Sequence, residues 1–183
     1  MSKDYDYDEI ITAKYMELSI VPISEASIHF CELVSDQITS QEKRKRARKP
    51  KDLASFQLAL RLILGDLLIA RAKSDTGWLY RSKSKKNFHN SNIKGDTFNK
   101  IIAGLVSLNY VNTIKGVNFK NPFATNNKNK FYSGYASRFK ATDDLLKLWT
   151  SLGHEIPDLK LHFKLKPKLN DVRLKGTSSR YQS

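Results

Sequence analysis

The chain has one cysteine, Cys31, in 183 residues. It can form no internal disulfide, and no Cys or His stands beside it at metal-ligand spacing, so it reads as a small buried hydrophobe. Also missing is the ~18-residue uninterrupted apolar run of a membrane span. The longest oily stretch, Leu58 to Ala72, is broken by Arg61, Asp66 and Arg71. The opening residues, with Asp4, Asp6, Asp8 and Glu9, lack the basic-then-apolar order of a signal peptide. The expectation is a cytoplasmic protein with no membrane partner. His29, His89, His154 and His162 show no two-apart or four-apart spacing, and no glycine-rich loop precedes a Lys-Ser/Thr pair. No metal, no cofactor and no small-molecule substrate are therefore expected. Tyr110, Tyr132 or Tyr135 could be nominated as a nicking nucleophile, but the His-x-His metal site that nicking enzymes pair with such a tyrosine is absent. The chain is read as a non-enzyme.

What is present is positive charge, unevenly placed. The net charge is +14. Residues 1–40 hold two lysines against eight carboxylates, a charge of −6, which leaves +20 for the rest. Such a field draws polyanions through counterion release and steers their association. Anionic membrane competes less well, because the basic residues do not line one face of an amphipathic helix. Two roles fit the acidic head: a mask over the basic body, or an oligomerisation arm. The length suits one domain of ~100 to 150 residues with appendages.

Apolar spacing organises the chain into three parts. In residues 1–50, Ser24 or Ser27 could cap a short amphipathic helix bearing Ile28, Cys31, Val34 and Ile38 on one face. The run Lys43-Arg44-Lys45-Arg46-Ala47-Arg48-Lys49-Pro50-Lys51 follows, as linker or phosphate-seeking arm. In residues 51–153, Asp52 is the expected N-cap of a helix carrying Leu53, Phe56, Leu60, Ile63, Leu64, Leu67 and Leu68, the central helix of the core. Trp78 to Tyr80 reads as extended, and Arg81 to Asn92 as polar loop or short helix. Gly95-Asp96 supplies a break and a capping carboxylate for a helix with Phe98, Ile101, Ile102, Leu105 and Leu108 on one face and Asn99, Lys100, Ala103 and Ser107 on the other. Asn109 is placed as its left-handed terminator. Tyr110 to Ile114 then forms a strand that turns at Lys115-Gly116, the stretch Phe119 to Tyr135 has no period, and Ala136 to Ala141 returns. Thr142 caps a last helix, with Asp143 and Asp144 in its first turn and Gly153 as its stop. In residues 154–183, Leu159, Leu161, Phe163 and Leu165 alternate with Lys160, His162, Lys164 and Lys166, an edge strand with a basic face. That strand could complete the domain sheet, pair with a second copy, or belong to a continuation of the chain.

The fold class read from this order is α+β, mainly helical. The segment Lys94 to Ile102, running on through Leu105-Val106-Ser107-Leu108-Asn109-Tyr110-Val111, resembles the recognition-helix stretch of winged-helix proteins. Ser137 to Thr142, followed by Leu145-Leu146 and Leu148, resembles the second wing strand and closing helix in DNA-binding proteins of bacterial plasmids and other mobile elements, including replication initiators. The resemblance covers about the middle hundred residues and implies a winged helix-turn-helix with a long basic wing between N- and C-terminal extensions. Its implied partner is double-stranded DNA, with replication or transcription control as the role and a homodimer as a candidate assembly.

The implied contacts follow from side-chain chemistry. Asn99 can bond adenine bidentately, Lys100 can reach guanine or phosphate, Ser107 suits the backbone, and Thr97 is a further candidate DNA contact. Lys83, Lys85, Lys86 and Lys94 flank the helix, while Lys115, Lys120, Lys128, Lys130 and Arg138 lie along the wing, where they would track phosphate. Phe119, Phe123, Phe131 and Tyr132 between them brace the hairpin or stack on bases. The bland alternative for these polar residues is an ordinary solvated surface. An adaptor or RNA-binding module that docks an acidic partner is the other functional reading.

Overall fold

The computed structural model describes residues 13–16, 18, 20–22, 25–41, 49–73, 76–81, 93–120, 131–155 and 163–165. Two short strands, β1 (Lys14–Tyr15) and β2 (Ile20–Pro22), precede helix α1 (Glu25–Gln41) and helix α2 (Pro50–Lys73). Strand β3 (Leu79–Arg81) leads towards helix α3 (Gly95–Ser107). Strands β4 (Val111–Ile114), β5 (Val117–Lys120), β6 (Phe131–Tyr135) and β7 (Ser137–Ala141) follow, then helix α4 (Asp143–Ser151) and strand β8 (Phe163–Leu165). More of these residues are helical than extended, so the fold is α+β and mainly helical.

The main sheet has the order β1-β3-β7-β4. Strands β3, β7 and β4 are antiparallel neighbours, with Leu79 opposite Phe139 and Thr113 opposite the same residue, and β1 adds a parallel edge. Strands β5 and β6 extend the β4–β7 hairpin as a two-stranded ribbon, in a stretch whose sequence shows no period. The alternating tail contributes β8, and its partner is β2 of the same chain.

One hydrophobic cluster runs from Met16 to Trp149. Helix α2 is its axis, packing against α1, β2, β7 and α3. By length and composition Pro50–Ala72 could cross a membrane despite its charged residues, yet most of its apolar stretch is buried within this fold. Its Asp66 is put to structural use: the carboxylate accepts the buried Leu18 amide at 2.7 Å, where Leu18 takes a left-handed φ of 55°. A non-glycine residue in that conformation costs ~1 to 3 kcal/mol and persists where its surroundings over-determine it. The Arg71 guanidinium pairs with Asp143 at 2.6 Å and ties α2 to α4.

The N-terminal segment is more than an appendage. Phe30, Cys31, Val34 and Ile38 of α1 are buried with Met16 and Leu18 in the same cluster as α2. The amphipathic reading of α1 needs correction at one position: Ile28 is exposed, and Ser27, Phe30 and Ser35 complete the buried face. Helix starts also shift. α2 begins at Pro50, a residue suited to a first turn, with the Leu53 amide donating to the Lys49 carbonyl, so Asp52 is a first-turn charge and not the cap. Lys94 caps α3 without a side-chain bond, and Asp96 likewise sits in the first turn. At α1, Ser27 lies inside the helix and is buried, so it is not the cap, and Ser24 lies outside the described residues. The C-terminal end of α3 and both ends of α4 match their local signals. Asn109 has φ 60°, Gly153 has φ 83°, and the Thr142 hydroxyl accepts the Leu145 amide at 3.5 Å.

Candidate nucleic-acid interface

Helix α3 is held from one side and open on the other. Phe98, Ile101 and Leu105 are fully buried and Ile102 nearly so, and Phe98 meets Phe139 edge-on at 5.5 Å between ring centres. At the crossing with α1 the backbone comes close at Gly104, where a Cβ would stand 2.6 Å from Ile38 Cγ2. Two carboxamides of α1, one turn apart, secure the far end of α3. The Tyr110 hydroxyl donates to Gln37 Oε1 at 2.9 Å, and the Ser107 hydroxyl lies 2.5 Å from Gln41 Oε1 and 2.8 Å from the Gly104 carbonyl.

The remaining face of α3 is exposed and carries Asp96, Asn99, Lys100, Ala103, Val106 and Ser107. Along one edge it borders a cleft of about 330 Å³. Asn99, Ile102, Ala103 and Val106 form one wall, with Thr113, Ile114 and Lys115 of the β4 end and Ser137 and Phe139 of β7 across from them. Gly116 at the turn donates its amide to Ser137 Oγ at 3.1 Å, which fixes the mouth of the hairpin beside Lys115. The arrangement offers a convex polar ridge next to a mostly apolar slot with a cation at its rim.

The residues expected at a site separate into three groups. Asn99 and Lys100 share the exposed face, with Thr97 half-buried at its start, Lys94 exposed at the helix cap, and Lys115 exposed across the cleft. Ser107 is on the face but already engaged with α1. Arg138 is a correction: it is buried in the interior strand β7, its guanidinium 4.9 Å from the centre of the Tyr80 ring and donating to the Ala136 carbonyl. A side chain so placed braces the sheet and does not track phosphate. Lys83, Lys85, Lys86, Lys128 and Lys130 lie outside the described residues, as do Phe123 and the run from Lys43 to Arg48; Lys120 ends β5. Arg81, read as the start of a polar loop, is instead buried in β3. It donates to the Met16 carbonyl at 2.8 Å, and burial lowers its pKa against the opposing pull of Tyr15 and Asp66.

Sequence reasoning missed Val106 and the sheet wall of the cleft. Val106 lies seven residues, two helical turns, beyond Asn99, so its place on the open face was readable from spacing alone. The wall formed by Thr113, Ile114 and Phe139 depends on how the hairpin crosses α3, which no local pattern encodes. Among the described residues no group of three or more His, Cys, Asp or Glu could hold a metal ion. No protein-family model, curated protein or solved structure matches this chain.

Proposed function

We propose that this chain is a winged-helix protein that binds double-stranded DNA, with α3 as the groove-facing helix and the β4–β7 hairpin with its β5–β6 ribbon as the wing. The observation that carries the reading is the open face of α3 within this strand order. A helix, a strand, a helix, then two antiparallel strands joined by a ribbon, with the first strand pairing against the returning one, supports this reading; the helix that would precede a recognition helix falls at residues 82–92, outside the described residues. A groove-reading helix needs one buried face for position and one open face with hydrogen-bonding and small side chains, and α3 has both. The charge of +20 beyond residue 40 supplies the attraction to phosphate. Replication or transcription control on a mobile element is what the family resemblance adds to this reading.

Titration of the full chain against random-sequence duplex across a salt series tests it. Affinity should fall steeply, with a log–log slope of about −0.9 for each phosphate neutralised. A flat response would remove the electrostatic basis of the reading. The second reading is an adaptor or RNA-binding module docking an acidic partner, and the apolar lining of the cleft suits its protein-docking form. Competition among duplex DNA, structured RNA and single strands separates the two, and preference for RNA promotes the second.

A further inference from the structure

The open face of α3 has two stripes of different chemistry. Asp96, Lys100 and Ser107 share one by helical spacing, and Ser107 marks it as the side nearer α1. Asn99, Ala103 and Val106, at intervals of four and three, form the other and line the cleft. This second stripe contains no charge: a single carboxamide, a methyl group and an isopropyl group. Val106 is 43% exposed, whereas Phe98, Ile101, Ile102 and Leu105 of the same helix are buried. A valine in such a position does nothing for the core and is a weaker helix former than alanine.

We infer that this stripe reads A·T base pairs, the inference resting on the DNA-binding reading above. Adenine presents N7 and the N6 amino group to the major groove, which together match one carboxamide, and thymine presents a C5-methyl group that makes apolar contact with small aliphatic side chains. Asn99 takes the adenine edge, and Ala103 and Val106 take thymine methyls on neighbouring steps. Guanine calls for a cationic donor and cytosine for a carboxylate acceptor, and the stripe offers neither. From Asn99 to Val106 the helix rises ~10 Å, the length of about three base-pair steps. Lys115, across the cleft, is positioned for the phosphate beside those steps.

Three repeating duplexes test the inference at a fixed salt concentration with the full chain: alternating poly(dA-dT), alternating poly(dA-dU) and alternating poly(dG-dC). Uracil keeps the pairing and backbone charge of thymine and lacks only the methyl group. The dA-dT duplex should bind tighter than dA-dU by about fourfold for each methyl contact, the equivalent of one buried methylene. The dA-dU duplex should in turn exceed dG-dC. Val106→Ala should narrow the first gap and Asn99→Ala the second, with the salt slope unchanged in both. Equal affinity for dA-dT and dA-dU, or tighter binding of dG-dC, overturns the inference while leaving duplex binding intact. Failure to bind all three removes the DNA-binding reading, and this inference with it.

Discussion

Helices α2 and α3 both carry apolar residues at three- and four-residue spacing, yet they end in opposite situations. From Ala59 onward α2 is enclosed on nearly every side, and its charges serve the fold: Asp66 holds the Leu18 amide and Arg71 pairs with Asp143. α3 buries one face and leaves Asn99, Lys100, Ala103 and Val106 to solvent. A polar side chain inside an enclosed helix must find a partner within the protein, because burying it unpaired is costly. One on a half-open helix is available to a partner from outside. The difference separates residues that shape this protein from those with which it can act.

The largest effect should come from the closed face of α3. Phe98→Ala removes a fully buried ring and its edge contact with Phe139, and should lower unfolding free energy by ~3 to 5 kcal/mol in denaturant titration. A loss under ~1 kcal/mol, the level of an ordinary substitution, would mean that this face does not anchor the helix. Next is the crossing with α1. Gly104→Ala should gain ~0.8 to 1 kcal/mol of helix propensity. The clash with Ile38 should outweigh that gain, since overpacking costs ~1 to 3 kcal/mol. A stabilised Gly104→Ala protein would show that α1 and α3 can separate without loss.

On the open face stability and binding should come apart. Asn99→Ala should leave stability within ~0.5 kcal/mol, as surface substitutions do. It should weaken the best duplex site by ~1 to 3 kcal/mol and relax preference at one base pair. Lys115→Ala should weaken all duplexes alike and make the salt slope shallower by about 0.9, because a phosphate contact positions without specifying. If the two variants behaved identically, the division between reading and positioning would fail.

One effect is silent at neutral pH and appears only in alkali, at Cys31 in the core. Burial raises the Cys31 thiol from its ordinary 9.0 to about 12. Unfolded chains would ionise this thiol at lower pH than folded ones, so its contribution is complete below about pH 9 and lost as pH rises towards about 12. Denaturation midpoints of wild type and Cys31→Ala, compared across that range, should show the wild type losing more. Equal losses would place the thiol in contact with water.

Much of α3 and α4 was legible in sequence because their boundaries are set locally. Asn109 adopts the left-handed conformation its position suggested, Thr142 caps α4 through its own hydroxyl, and Gly153 ends it. In the N-terminal segment the helix and its buried Cys31, Val34 and Ile38 were legible, but its place in the main core was not, because Met16, Leu18 and Phe30 join that core through contacts far along the chain, such as Phe30 against Trp149. That placement also changes what a truncation can test: deleting residues 1–41 would remove core side chains together with the acidic charge. Arg138 was misread for a similar reason. An arginine in an alternating strand looks solvent-facing, but β7 has a strand on each side and Tyr80 beneath the guanidinium. At the site, Asn99 and Lys100 followed from helical period, whereas the cleft beside them arises from the β4–β7 crossing.

The central claim is that the open face of α3 meets duplex DNA. Backbone amide chemical shifts of the full chain, followed by NMR during addition of a duplex, test it most directly. The account predicts that the largest changes fall on residues 96–107 and at Lys115, with α2 from Ala59 to Ala70 unaffected. Changes concentrated on the exposed carboxylate side of α1, at Glu25, Glu32 and Asp36, or on the β2–β8 pair, with α3 silent, would contradict it.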